Sequence, residues 1–180
     1  MRARDQDGLL RQDEVRALAD QAGDSPSGLR LAALVATLYH ACPRLGVALR
    51  MDVRDADLTA ACIHLRGRRD WQVRLDDVTL GRLARWIACR GSLGLGDGLL
   101  FCTFDGGPLD DSYVRRELGA LGRRAAVGTA VGAEVLRRSG VARLVAAGVG
   151  DAHLQERLDH GRTGVTARYR RRLAPVRAVR

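Results

Sequence analysis

Residues 135–169 read VLRRSGVARLVAAGVGDAHLQERLDHGRTGVTARY, and this stretch decides how the rest of the chain is interpreted. Apolar spacing predicts a helix over residues 133–147 that ends at Gly148. Asp151 is placed to cap a second helix that continues to about Leu158. A last, very basic helix is predicted over residues 163–173. The segment is therefore predicted to be a run of three helices.

Upstream of this segment, the apolar pattern predicts more helices and one hairpin. The predicted helices cover residues 12–22, 26–42, 44–49, 78–89 and 111–126, with Asp111 as the cap of the last. Residues 59–66 and 71–75 are predicted to be strands joined by the basic turn Gly67-Arg68-Arg69-Asp70. Because helices flank a single hairpin, the predicted fold class is α+β, mostly α-helical, with a small antiparallel sheet.

Charge points to a polyanionic partner. The 180 residues carry a net charge of +9, and all thirty cationic side chains are arginines. Residues 160–180 contain seven arginines and no carboxylate side chain. A chain with this balance favours nucleic acid or another polyanion.

Other classes of protein are disfavoured by the composition. The four cysteines are widely spaced and form no C-x-x-C pair, so they are predicted to be small buried hydrophobes rather than zinc ligands or disulfides. The chain lacks the roughly 20 uninterrupted apolar residues of a membrane span. Its first residues lack the apolar core of a signal peptide. We therefore expect a cytoplasmic protein without a membrane contact or a bound metal.

The segment quoted above resembles the C-terminal motif of tyrosine recombinases, the phage integrase family. In that family an H-x-x-R motif lies on one helix, the next helix ends in L-G-H, and the nucleophilic tyrosine follows nine residues after that histidine. Arg137, His160 and Tyr169 match this spacing. Glu134 stands at the position of the first histidine, and Asp159 at that of the usual glycine.

Residues 38–57 resemble the family's first-arginine motif, with Arg44 as the arginine. Cys42 occupies the position of the motif's glycine, and Val47 that of its glutamate. The predicted hairpin corresponds to the strand pair whose turn carries the family's catalytic lysine, and here the turn has Arg68. With further matches around residues 100–109, the resemblance extends over about residues 10–175.

The resemblance implies a catalytic domain that cleaves and rejoins DNA. Tyr169 would attack a backbone phosphate, form a 3′-phosphotyrosyl bond and release a 5′-hydroxyl. Arg44 and Arg137 would stabilise the charged transition state, since a guanidinium bonds two phosphate oxygens at once. His160 would donate a further hydrogen bond. Because bond energy is conserved in this exchange, no cofactor or metal is implied.

Two replacements affect the proton transfers that the family's reaction needs. Arg68 replaces the lysine that protonates the leaving oxygen, and arginine keeps its proton in proteins. Glu134 replaces a histidine base; its carboxylate is able to accept a proton, but its negative charge would oppose phosphate binding or pair with Arg137. A missing general acid or base costs about 10²- to 10⁴-fold in rate. Two functions therefore stay open: an impaired recombinase, or a degenerate relative that only binds DNA or a partner protein.

Two further alternatives receive less support from the sequence. A type IB topoisomerase uses similar chemistry, and relaxation of DNA without recombination would indicate it. A helix-turn-helix repressor has no need of Tyr169 nine residues after a histidine.

Partners follow from the same resemblance. Double-stranded DNA is the expected ligand, and further backbone contacts are predicted for Arg69, Arg138, Arg162, Arg168, Arg170 and Arg171. The family acts as tetramers on two duplexes, so a homo-oligomer or an assembly with other recombinase subunits is expected, located at the cytoplasmic nucleoid.

The domain organisation is predicted in three parts. Residues 1–9 are expected to be a disordered N-terminus, residues 10–173 the catalytic domain and residues 174–180 a basic tail. Only about ten residues precede the first predicted helix, so the family's N-terminal core-binding domain is not seen. Either the sequence is a fragment, or another protein completes the clamp around DNA, or the affinity for DNA is weak.

Overall fold

The computed structural model describes residues 8–67 and 70–158, with side chains as far as residue 154. Its helices are α1 (Gln12–Gln21), α2 (Pro26–His40), α3 (Leu45–Ala48), α4 (Asp77–Ser92), α5 (Asp111–Arg124), α6 (Ala133–Ala146) and α7 (Asp151–Leu158). Three short strands, β1 (Ala56–Asp57), β2 (Cys62–Leu65) and β3 (Trp71–Arg74), form an antiparallel sheet in the order β1-β2-β3. The predicted α+β, mostly helical class is confirmed, whereas the helix predicted over residues 163–173 lies outside the described residues.

Helix α2 is the centre of the core. Its N-terminus follows the predicted rules, because the Ser25 hydroxyl accepts a hydrogen bond from the Gly28 amide and Pro26 occupies the first turn. Most of its residues are buried, as expected for a helix that is apolar on nearly all sides. Helices α1, α4 and α6 pack around it, and the largest core side chains are Trp86 and Phe101.

Several predicted boundaries are wrong by one or two residues. Asp110, not Asp111, caps α5, since its Oδ1 accepts the Tyr113 amide at 3.0 Å. Aspartate is a favoured N-cap residue at either position, and the hydrogen bond shows that Asp110 has this role. Strand β1 was not predicted, because a two-residue strand has no readable alternation; Ala56 pairs with Ile63.

The described residues include all four cysteines and the seven helices given above. Cys42, Cys62 and Cys102 are buried and Cys89 is half-buried, so the prediction of small buried hydrophobes is confirmed for three of them. Within residues 8–67 and 70–158, no group of three metal-ligating side chains is found. No helix in that part of the chain is long and apolar enough to cross a bilayer.

Helix α6 approaches the end of α2 unusually closely, at Gly140. A Cβ atom at this position would lie 1.9 Å from the Tyr39 carbonyl oxygen and 2.7 Å from the Cys42 Sγ. Real Cβ atoms essentially never come this near to another atom, so only glycine fits. The contact brings the N-terminal half of α6 against the turn that follows α2, where the candidate site lies.

Candidate active site

The first part of the site is the turn between α2 and α3, which carries Arg44. Cys42 has a φ of 58°, in the left-handed region that favours glycine. Cys42 stands where the family motif has glycine, and its backbone has the left-handed conformation that glycine adopts easily. For a residue with a Cβ atom this conformation costs about 1–2 kcal/mol. Arg44 follows as the N-cap of α3. Its side chain is exposed, and among the described residues it has no hydrogen bond or ion pair.

The second part is Arg137 on α6, whose guanidinium is buried. The residue is 4% exposed, and its Nε donates to the Cys42 carbonyl oxygen at 3.1 Å. This bond joins α6 to the backbone two residues before Arg44, across 95 positions of sequence. A buried guanidinium costs stability unless it is bonded, so this hydrogen bond also fixes the direction of the side chain. Arg44 and Arg137, which the family resemblance assigned to the same site, thus lie at one turn.

Glu134 completes the described part of the site. It lies in the first turn of α6, where a carboxylate interacts favourably with the helix dipole. Its Oε1 and Oε2 are 3.3 Å and 3.5 Å from the Arg137 Nη1. Because the Glu134 side chain is 63% exposed, the pair is screened by water and contributes little to stability. The two distances show that Glu134 pairs with Arg137, one of the two effects expected of this carboxylate.

A second group of residues, which was not predicted from the sequence, holds the end of α2 just before the Arg44 turn. Arg143, also on α6, donates through Nη2 to the His40 carbonyl oxygen at 3.3 Å and lies over the Tyr39 ring at 5.4 Å. The His40 ring contacts Asp76, the N-cap of α4. Tyr39, His40 and Arg143 lie within the segments that resemble the family, but the resemblance gave none of them a role, and arginine is so common in this chain that Arg143 alone carries no signal.

The hairpin has a buried anchor that was also not predicted. Asp55 is 2% exposed and its Oδ1 accepts hydrogen bonds from Arg66 Nε and Nη2 at 3.1 Å and 2.8 Å. Its Oδ2 accepts the Asp52 amide at 2.8 Å. The carboxylate thereby ties the end of β2 to the segment before β1. Nearby, the hydrogen bond from the Arg54 side chain lowers the pKa of Asp52 to about 2.

The structure covers four of the candidate site residues. Arg137 and its partner Glu134 lie at the turn that carries Arg44, and Arg138, the next residue of α6, is half-buried. The other candidates lie outside the described residues: Arg68, Arg69, His160, Arg162, Arg168, Tyr169, Arg170 and Arg171.

Two other tyrosines are in the described part of the chain. Tyr39 is buried, which raises its pKa although the Arg143 charge opposes the shift, and this disfavours the phenolate that a nucleophile requires. The Tyr113 hydroxyl accepts a hydrogen bond from Arg30 Nη2 at 3.0 Å, and the ring lies between Arg30 and Arg116. Both phenols are thus held in structural contacts.

Comparisons with known proteins identify the family of this chain. The sequence pattern of the phage integrase family matches residues 9–174. Tyrosine recombinase XerC of Haemophilus ducreyi is 28% identical over 154 residues, which cover 84% of this chain and 51% of the relative. The chain spans about half the length of the curated relatives that it matches.

Solved structures share the fold. XerA recombinase superposes with a TM-score of 0.81 at 24% identity, over 94% of this chain and 60% of that one. The XerH site-specific recombinase, in its pre-cleavage complex with a difH substrate, gives a TM-score of 0.76 at 21% identity, over 90% of this chain and 49% of that one. With the family match over nearly its whole length, the chain belongs to the phage integrase family.

Proposed function

We propose that this chain is the catalytic domain of a site-specific DNA recombinase that cleaves and rejoins strands through a 3′-phosphotyrosyl intermediate. Arg44 and Arg137 bind the scissile phosphate, His160 donates a further hydrogen bond, and Tyr169 is the nucleophile. The substrate is duplex DNA, and the structure of the XerH site-specific recombinase with its difH substrate supports a substrate of this kind. Assembly on DNA as a tetramer, or with other recombinase subunits, belongs to the same proposal.

The observation that carries the proposal is the hydrogen bond between Arg137 and the Cys42 carbonyl. It holds a buried guanidinium against the turn of an exposed Arg44, which has no hydrogen bond or ion pair to any residue that the structure describes. Two guanidinium groups at one turn suit a phosphate, because each presents paired donors to its oxygens. The strained backbone at Cys42 supports the same conclusion, since such strain is concentrated at functional sites.

A second candidate function is favoured by Glu134. Its carboxylate already occupies one face of Arg137, where a phosphate oxygen would bind. A binding-only relative would keep the arginines for the DNA backbone and would have lost the proton transfers. The absence of lysine from the chain favours this alternative as well.

Covalent trapping separates the two functions. Nicked duplexes of randomised sequence are incubated with the protein, and a covalent protein–DNA species is sought on a denaturing gel. The recombinase proposal predicts a species that disappears in Tyr169→Phe. Binding that weakens with salt, without any covalent species, would leave the binding-only function.

Glu134→Gln is expected to strengthen DNA binding. The amide removes a negative charge beside Arg137, so the duplex should bind about 3- to 10-fold more tightly at low salt, the effect of roughly 1 kcal/mol of surface electrostatics. Affinity is measured by fluorescence anisotropy at two salt concentrations, because the gain should shrink as salt screens the charge.

The matched control for this change is Glu117→Gln. Glu117 lies on α5 beside residues of the N-terminal end of α2, whereas the Arg44 turn follows the opposite end of that 15-residue helix. At 1.5 Å per residue the two ends are about 20 Å apart. Equal gains from both substitutions would mean that net charge alone sets affinity and that Glu134 does not compete for Arg137.

A further inference from the structure

His40, the last residue of α2, lies between two hydrogen-bond acceptors. The residue is 9% exposed. Its Nε2 is 2.9 Å from the Arg74 carbonyl oxygen at the end of β3, and its Nδ1 is 3.3 Å from the Asp76 Oδ2. A neutral imidazole carries a proton on one nitrogen only, so it can serve one of these acceptors. The imidazolium can donate to both acceptors, and this pair of acceptors favours the charged ring against the cost of its burial.

Among the described residues, the elements α4 and α6 each bring a charge to this ring. Asp76 caps α4, and its Oδ1 accepts the Thr79 amide at 2.9 Å while its Oδ2 faces His40. Burial acts to raise the pKa of Asp76, but hydrogen bonds from Thr79 and the positive charges of His40 and Arg143 leave it below the ordinary value. Arg143 on α6 is the opposing cation, with Nη2 on the His40 carbonyl.

Two further titratable groups of the described residues act near His40. Tyr39 precedes His40 on α2, and its pKa is raised by burial. The positive charge of Arg16 on α1 acts to lower the pKa of Tyr39. The ionised carboxylate of Asp76 contacts the ring directly, and its negative charge attracts a second proton.

The ring is connected to the Arg44 turn by the backbone. His40 precedes the left-handed Cys42 by two residues and Arg44 by four. A strained residue keeps its conformation only where its surroundings determine it. Here the His40 ring ties the end of α2 to the junction of β3 and α4, while Arg143 and Arg137 hold the His40 and Cys42 carbonyls from α6.

We propose that His40, as an imidazolium, positions the turn that carries Arg44, so that phosphate binding at Arg44 and Arg137 weakens when the ring loses its second proton. The proposal rests on the proposed function of that turn. His40 is a positioning residue, because it acts through the backbone and contacts no substrate. The imidazolium stabilises the Arg44 turn at low pH, and this stabilisation is lost as the pH rises and the ring gives up its second proton.

The charge of the ring can be tested without DNA. In ¹⁵N-labelled protein, the ring nitrogens of His40 are assigned by comparison with His40→Gln. At pH 7.5 we expect both ring nitrogens of His40 to carry protons, as donation to both acceptors requires. A neutral His40 ring at that pH would overturn the proposal.

The link to Arg44 is tested by the pH profile of duplex binding at constant ionic strength. Between pH 6.0 and 9.0, wild-type affinity should fall about tenfold more than that of His40→Gln, the effect of one lost hydrogen bond to a charged group. His153→Gln, a change at an exposed histidine of α7, should keep the wild-type profile. Identical profiles for wild type and His40→Gln would refute the positioning role. Lack of DNA binding by the wild type at every pH would instead refute the proposed function, while the ring measurement would still report the charge of His40.

Discussion

Gly140→Ala should lower the free energy of unfolding by about 3 kcal/mol, because a methyl group has no room between α6 and the end of α2. The added Cβ would lie 1.9 Å from the Tyr39 carbonyl oxygen. That atom belongs to the backbone of the central helix and cannot rotate away. For a domain of this size, the loss corresponds to a fall in Tm of about 6–12 °C, measured by thermal unfolding followed by circular dichroism.

Gly81→Ala is the matched control for this substitution. Gly81 lies on the exposed face of α4, and a Cβ there would meet nothing within 4 Å. Alanine should therefore stabilise the protein, by up to about 1 kcal/mol, through its higher helix propensity. If Gly140→Ala were as benign as Gly81→Ala, the close approach of α6 to α2 would be wrong, and with it the placement of Arg137.

Arg137→Lys should reduce the rate of DNA cleavage by about 10²- to 10³-fold, the usual cost of removing one donor from a charged transition state. The Nε of Arg137 is already used by the Cys42 carbonyl. Lysine has a single ammonium group instead of a planar fork, so it cannot hold that carbonyl and two phosphate oxygens together. The rate is measured as the formation of the covalent species under single-turnover conditions.

Arg138→Lys controls for charge on the same helix. Arg138 is predicted to contact the DNA backbone only, and such contacts position the duplex without entering the chemistry. Lysine keeps that contact, so the cleavage rate should stay close to that of the wild type. Equal losses from both substitutions would mean that Arg137 acts only as a surface charge, against its burial and its bond to Cys42.

Much of the fold was predictable because helix signals are local. Ser25 followed by Pro26, and Gly148 after a run of apolar residues, mark helix ends by their own conformational preferences. Val15 and Leu18 on one face of α1 gave its buried side, as the structure confirms. The choice between Asp110 and Asp111 as a cap was not predictable, because neighbouring carboxylates give the same signal.

The candidate site was predictable only where a motif fixed the spacing. Arg44 and Arg137 are separated by 93 positions, and their proximity depends on Gly140, whose role appears only when the helices pack. His40 and Asp76 were not predicted as a pair, since nothing local links the end of α2 to the cap of α4. Asp55 was missed for the same reason: its partner Arg66 lies across a strand pair.

The central claim is that Arg44 and Arg137 bind a phosphate that Tyr169 attacks, and locating the covalent bond tests it most directly. Nicked duplexes with a 5′-bridging phosphorothiolate are used, because this leaving group needs no general acid and bypasses the replacement of lysine by Arg68. The trapped complex is digested, and the modified peptide is identified by mass spectrometry. A phosphotyrosyl bond is expected at Tyr169 and should be absent from Arg44→Ala and Arg137→Ala. A bond at Tyr39 or Tyr113, or no covalent complex despite tight and salt-dependent DNA binding, would contradict it.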